Sequence, residues 1–183
     1  MLVAPAAGLL GAIIGVRGAA STGVKLENHK RRRDGQAVAV SMAAAIETSI
    51  WVVERRQQVQ FFEWLLEQAK AGETIQIFGA VDENRLTDPI ADALLDRLGL
   101  IDADLGARST RFFTILYGIR VDILNLREGR LGNDPATAVR MLEQDLALWE
   151  EASVEGTRLV AELRTWAKDQ EKRRFWQRRQ ASG

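Results

Sequence analysis

An all-α fold is predicted by three observations. Apolar residues recur at alternating three- and four-residue steps along most of the chain. Two of the three prolines follow an aspartate, as Asp88-Pro89 and Asp134-Pro135, the pattern of a capped helix start with proline in the first turn. Only Thr74 to Phe78 alternates as a strand would, and one isolated strand has no partner. The full expectation is an N-terminal helix, read as transmembrane, followed by an elongated antiparallel bundle of three long helices and one short one. In domain terms this divides the chain into residues 1–24 as an apolar membrane anchor, 25–35 as a basic juxtamembrane linker, and 36–183 as a helical bundle with a basic tail.

The first element is set by composition. Leu2 to Val16 is fifteen residues without charge, which as a helix covers only about 22 Å, short of a hydrocarbon core of about 30 Å. Continuing to Val24 gives about 34 Å but includes Arg17, whose long stem can reach toward the charged end. The alternative is an alanine- and glycine-rich surface or core helix. The positive charges, Lys25 and Lys30 to Arg33, lie behind the apolar run, so a cleaved leader is not expected and the positive-inside rule places the remainder in the cytoplasm. The expected location is therefore the inner (cytoplasmic) membrane, single-pass, with the helical domain inside. Ala7, Gly11, Gly15 and Ala19 recur every fourth residue and form a groove of small side chains suited to helix self-association, although so small-rich a segment also produces such spacings by chance. Gly18 and Gly23 have phosphate-loop spacing, but Val24 intrudes before Lys25 and no Lys-Ser or Lys-Thr follows.

The remaining helices follow in order. Asp34-Gly35 reads as a break, after which one long amphipathic helix is expected to Lys70, ended by Ala71-Gly72. Its apolar register is Val38, Met42, Ala45, Val52, Val59, Phe62, Leu66 and Ala69, with Ile46, Val53 and Leu65 beside it. The stretch Ala37 to Val53 is apolar enough to imitate a span, but Ser41, Glu47, Thr48 and Ser49 interrupt it and positive charge flanks both ends. Glu54 to Gln58 reads as a solvated patch. Glu73 to Thr87 reads as a loop packing Ile75, Ile77 and Phe78 on the bundle. A short helix is expected from Pro89 to Leu98, burying Ile90, Leu94 and Leu98, with Gly99 as a left-handed terminator. Asp92 and Asp96, four residues apart with no histidine near, read as a wet face. Asp102 caps the next helix, Ala103 to about Arg127, with Leu105, Ser109, Phe112, Leu116, Ile119, Ile123 and Leu126 inward. After a loop at 128–133, the last helix runs from Pro135 to about Gln177 along the seam Val139, Leu142, Leu146, Trp149, Ser153, Gly156, Val160, Leu163 and Ala167. Ser153 and Gly156 allow either a close crossing or a kink.

Charge balance, 25 basic against 25 acidic residues, means that any electrostatic partner must be found locally. Two clusters stand out: Lys30, Arg31, Arg32 and Arg33, and the tail Arg173, Arg174, Phe175, Trp176, Arg178 and Arg179. Arginines interleaved with aromatic rings suit an anionic membrane surface, or a nucleic-acid backbone with rings stacking on bases, or an ordinary frayed helix end. If the helices alternate direction, the last one brings its basic tail back to the level of Arg33; if the short helix does not reverse the chain, the clusters lie at opposite ends.

Catalysis is not expected. The absence of cysteine removes disulfides, thiolate metal sites and thiol chemistry. His29 is the one histidine, which removes histidine pairs, and Leu26 stands where a Glu-x-x-His motif needs glutamate. Tyr117 and the five tryptophans read as core or interface anchors, and neither metal nor cofactor is expected.

Together the apolar start, Lys30-Arg31-Arg32-Arg33 and the helical remainder resemble a loose set of uncharacterised small bacterial proteins with one N-terminal membrane helix and a cytoplasmic helical domain. That resemblance is one of layout over the whole chain and implies no activity or residue role. The expected function is a membrane-tethered helical scaffold or protein-interaction module, with the lipid bilayer, a second copy and an unknown protein as partners. The alternative is a soluble helical protein binding nucleic acid through its basic termini.

Overall fold

The structure is a computed structural model that describes the backbone of residues 4–73, 75, 89–130 and 134–181, and the side chains of residues 24, 26–73, 75, 91–130 and 134–172. Every regular element among the described residues is helical: α1 (Ala4–Arg55), α2 (Gln58–Lys70), α3 (Pro89–Leu95), a 3-10 turn (Leu98–Leu100), α4 (Ala103–Arg127) and α5 (Pro135–Ala181). The all-α expectation holds, with a long apolar N-terminal helix leading into a helical domain.

α1 differs from its sequence reading. The segment 25–35, expected to be a linker broken at Asp34-Gly35, is helical throughout and fuses the N-terminal helix to the first bundle helix. Gly35 has another use. A Cβ there would collide with the Leu100 carbonyl oxygen and lie 3.3 Å from Trp166 Cη2, so glycine lets the returning chain press its backbone against α1. The helix expected to continue to Lys70 breaks instead at Arg56-Gln57, where Gln57 takes a left-handed conformation (φ 52°) without a side-chain cap. Counting 100° per residue, a continuous helix would aim Phe62, Leu65, Leu66 and Ala69 about 170° away from the buried face of α1, onto nearly the opposite side. The break re-aims them into the core, where all four are buried. Gly72, at φ 76°, ends α2 where the sequence placed the stop.

The residues between α2 and α3 lie largely outside the described set, Ile77 and Phe78 among them; Ile75 packs on the core as expected. α3 is shorter than expected, and Gly99 is not a left-handed terminator but lies within the 3-10 turn, with Arg97 at φ −107° leading into it. Leu94 is buried, while Leu98 is partly buried against the core. By Leu100 the chain has returned beside Gly35. Asp102 then caps α4, its carboxylate accepting from the Asp104 and Leu105 amides at 3.0 and 3.4 Å. Asp134 does the same for α5, accepting from the Ala136 amide at 3.2 Å and the Thr137 hydroxyl at 2.7 Å. These bonds hold the Asp134 carboxyl below its ordinary range, the Thr137 hydroxyl contributing most.

α5 is the spine. It runs antiparallel to α1, as Gln36 donating to the Ala167 carbonyl at 2.9 Å and Arg164 to Glu47 at 2.7 Å establish. It is antiparallel to α4 as well, with Arg108 on Glu155 and Glu162 and Arg111 on Glu151. α2 lies on it too, with an ion pair from Lys70 to Glu143 at 3.1 Å. The buried positions of α5 are Ala138, Leu142, Asp145, Trp149, Ala152, Gly156, Leu159, Val160, Leu163 and Ala167. The expected seam shares Leu142, Trp149, Gly156, Val160, Leu163 and Ala167, but Val139, Leu146 and Ser153 are only half-buried, and Asp145 and Ala152 take the interior. A helix enclosed by α1, α2 and α4 buries a wider face than a two-helix seam, and an apolar count passes over an aspartate. Gly156 makes a close crossing within one continuous helix: a Cβ there would meet Phe112 Cε2 at 2.6 Å and Ile50 Cδ1 at 3.0 Å.

Candidate functional site

Two places in this frame carry charge that helical packing alone does not require. The first is the end of the bundle where α1 and α5 meet. Because α5 returns along α1, the basic run of α1 faces the C-terminal part of α5. Leu26, His29, Lys30, Arg32, Arg33, Asp34 and Gln36 line a groove of about 660 Å³ together with Gln170. Lys30 to Arg33 are all exposed. Arg31 reaches across to the Gly99 carbonyl at 3.4 Å, fastening the run to the 3-10 turn. Arg173, Arg174, Phe175, Trp176, Arg178 and Arg179 lie one to three turns beyond Gln170 on the same helical backbone; their side chains are outside the described residues. Of the two topologies open in the sequence, the alternating one is observed, and it brings the second basic run to the end that carries the first. Ala7, Gly11, Gly15 and Ala19 are backbone members of α1, and their side chains too are outside the described residues.

Among the described residues one helix, near the N-terminus, is long and apolar enough to cross a membrane, and the qualifying stretch lies within Leu26–Arg55. This includes Ala37 to Val53, which the sequence reading sets aside as a span. Only 28% of the stretch is buried. One side, Val38, Ala39, Met42, Ala43 and Ile46, is in the core, while Val40 and Trp51 on the other are 54% and 59% exposed. On α2, Phe61 and Trp64 are exposed and stacked, with centroids 6.0 Å apart. The tryptophans therefore divide: Trp149 is buried and Trp166 packs on the core, whereas Trp51 and Trp64 face outward. Tyr117 is exposed as well.

The second place is interior. Asp145 is 2% exposed, and its Oδ2 has no hydrogen-bond partner. Its neighbour across the α4–α5 contact is Asp122, whose carboxyl hydrogen-bonds to it. Burial, and then the charge and hydrogen bond of Asp122, push the Asp145 carboxyl up to about 7. No third histidine, aspartate or glutamate gathers with them among the described residues. The signal that sequence reasoning misses is positional. Asp145 stands three residues after Leu142 and four before Trp149, on the face both occupy.

Elsewhere charge is spent on joining helices. Arg108 of α4 bonds Glu155 and Glu162 at 2.5 Å each and Asp104 at 3.3 Å. Its guanidinium is held charged well above the ordinary range, chiefly by Glu162 and then Glu155, while Glu162 is lowered by Arg108 and Arg158. A shallow groove of about 650 Å³ over Phe112, Ile115, Ala147 and Ala152 is rimmed by these paired charges. Comparison with protein-family models, with curated proteins and with solved structures finds no match to this chain.

Proposed function

We propose that the protein is a membrane-tethered helical interaction module without catalytic activity of its own, anchored by the start of α1 with the bundle on the cytoplasmic side. The observation that carries this reading is the polarity of one end of the fold. An apolar helix enters the bundle through the exposed basic run Lys30 to Arg33, and α5 returns its own basic run to that end. Two basic runs at the end where an apolar helix enters suit an anionic bilayer surface, each basic residue contributing about 1 kcal/mol near the headgroups. Fractionation of cells expressing the full chain and a truncated chain beginning at Lys25 tests it. The full chain is expected to need detergent for extraction and the truncated chain to be freed by salt; two soluble proteins would refute the tether.

The same convergence of basic runs favours one other reading, nucleic-acid binding through the two termini. It requires a steep salt-dependent shift on single-stranded nucleic acid, abolished by changing Arg173, Arg174, Arg178 and Arg179 to alanine. Absence of binding at low salt removes it.

A further inference from the structure

The outward face of α1 follows a rule of its own. Leu26, His29, Arg33, Ala37, Val40, Ala44, Thr48 and Trp51 are all exposed, and they are spaced by three, four, four, three, four, four and three residues. That is an eleven-residue repeat. At about 3.67 residues per turn it stays on one side of an almost straight helix, with at most a weak right-handed drift. Val38, Met42, Ala45 and Ile46 point the opposite way, into the core. Seven of the eight positions are uncharged with histidine neutral, and the most apolar stretch of the described chain is the one so exposed. Carried back along the unbroken backbone with the same spacing, the repeat passes through Gly15, Gly11 and Ala7.

A bilayer does not fit this part of the face. Glu47 and Arg164 form an exposed ion pair at 2.7 Å on its flank, and α5, packed alongside, carries Arg158 and Glu162 in another at 2.8 Å. Lipid covering Ala37 to Trp51 would have to bury those charges. A protein surface would leave them at a wet rim, where such pairs belong.

We propose that a second copy of this chain covers the face, the two α1 helices lying parallel along the Ala7-to-Trp51 seam. The choice of a parallel copy rests on the tether reading, because two chains anchored in one leaflet must run the same way. Small and apolar residues at every third or fourth position let two like helices approach closely. From Ala7 to Trp51 the backbone along the seam is about 66 Å long, a strip of about 700 Å² on a helix about 10 Å across, close to the roughly 800 Å² per partner of a stable interface. Its one charged member, Arg33, repels its copy and falls at the basic end, where anionic headgroups supply counter-charge.

The lack of any cysteine makes the test direct. Single replacements Ala37→Cys, Val40→Cys and Ala44→Cys, with exposed Thr157→Cys on α5 as control, are made in the full chain and oxidised in native membranes. In a parallel pair each seam position meets its own copy, so all three should give a disulfide-linked homodimer at least tenfold more abundant than the control. A dimer from one position only, as an antiparallel crossing would give, overturns the proposal. So do equal yields at Thr157, a monomeric full chain by sedimentation in detergent, and adducts solely with another protein. Fractionation of the same cells separates the two readings: a membrane-bound chain without dimer bands sinks the seam alone, and a soluble chain with all three bands sinks the tether alone.

Discussion

Asp145 carries the clearest residue-scale consequence. In the unfolded chain its carboxyl titrates near the ordinary aspartate value of about 3.9, and in the folded chain near 7. Between those values the native state holds a proton that the unfolded state has released, so stability falls as pH rises through that window and levels off above it. A shift of that size corresponds to at most about 4 kcal/mol. Asp145→Asn, which keeps the shape and removes the titration, should therefore stabilise the protein by about 2 kcal/mol at pH 8 and change it by less than about 1 kcal/mol at pH 5. Thermal unfolding of both proteins at the two pH values checks this; equal effects at both would show that the folded state takes up no extra proton at Asp145 in that window. Asp122→Asn should lower the midpoint of the Asp145 titration, read by carbon NMR of its carboxyl, because it removes the second cause of the shift.

At the scale of elements, close packing between helices is concentrated at glycine. Gly156 faces the Phe112 ring, and an added methyl would come within 2.6 Å of it, whereas a methyl added at Gly118 on α4 would have nothing within 4 Å. Alanine improves helix propensity at both sites by about 1 kcal/mol. Overpacking at Gly156 costs about 1 to 3 kcal/mol. Gly118→Ala is thus expected to raise the melting temperature and Gly156→Ala to lower it, a difference in sign that a pair of melts decides. Much of this level is legible in sequence. The caps at Asp102 and Asp134 depend on bonds within three residues, and the inward faces of α2 and α4 follow helical period, so both can be read locally. The fusion of residues 25–35 into α1 cannot, because Gly35 looks like a breaker until the Leu100 carbonyl is seen against it. The break at Gln57 is hidden for the opposite reason. Its residues are ordinary helix formers, and only the need to rotate α2 onto α5 explains it. Asp145 escapes because an apolar register has no place for a buried acid.

For the molecule as a whole, the meeting of the two basic runs depends on α5 turning back along α1, a non-local fact that the sequence leaves as one of two topologies. The truncated chain beginning at Lys25 should bind vesicles containing anionic lipid and release them as ionic strength rises to about 0.5 M, where the screening length falls below about 5 Å. Replacing Lys30, Arg31, Arg32 and Arg33 by glutamine should weaken that binding at least tenfold, well within the roughly 1 kcal/mol that each residue can contribute. Sedimentation with the vesicles measures both, and binding that ignores salt would point to apolar insertion instead. The uninterrupted course of α1 from Ala4 to Arg55 bears on mechanics. A helix without a joint acts as a drive shaft: one residue inserted near Leu26 turns everything before it by about 100° relative to the bundle and advances it by about 1.5 Å, while eleven insertions return almost to phase. Twist applied at the start of the chain is therefore delivered to the layer of Met42 and Ile46, with no swivel in between to dissipate it.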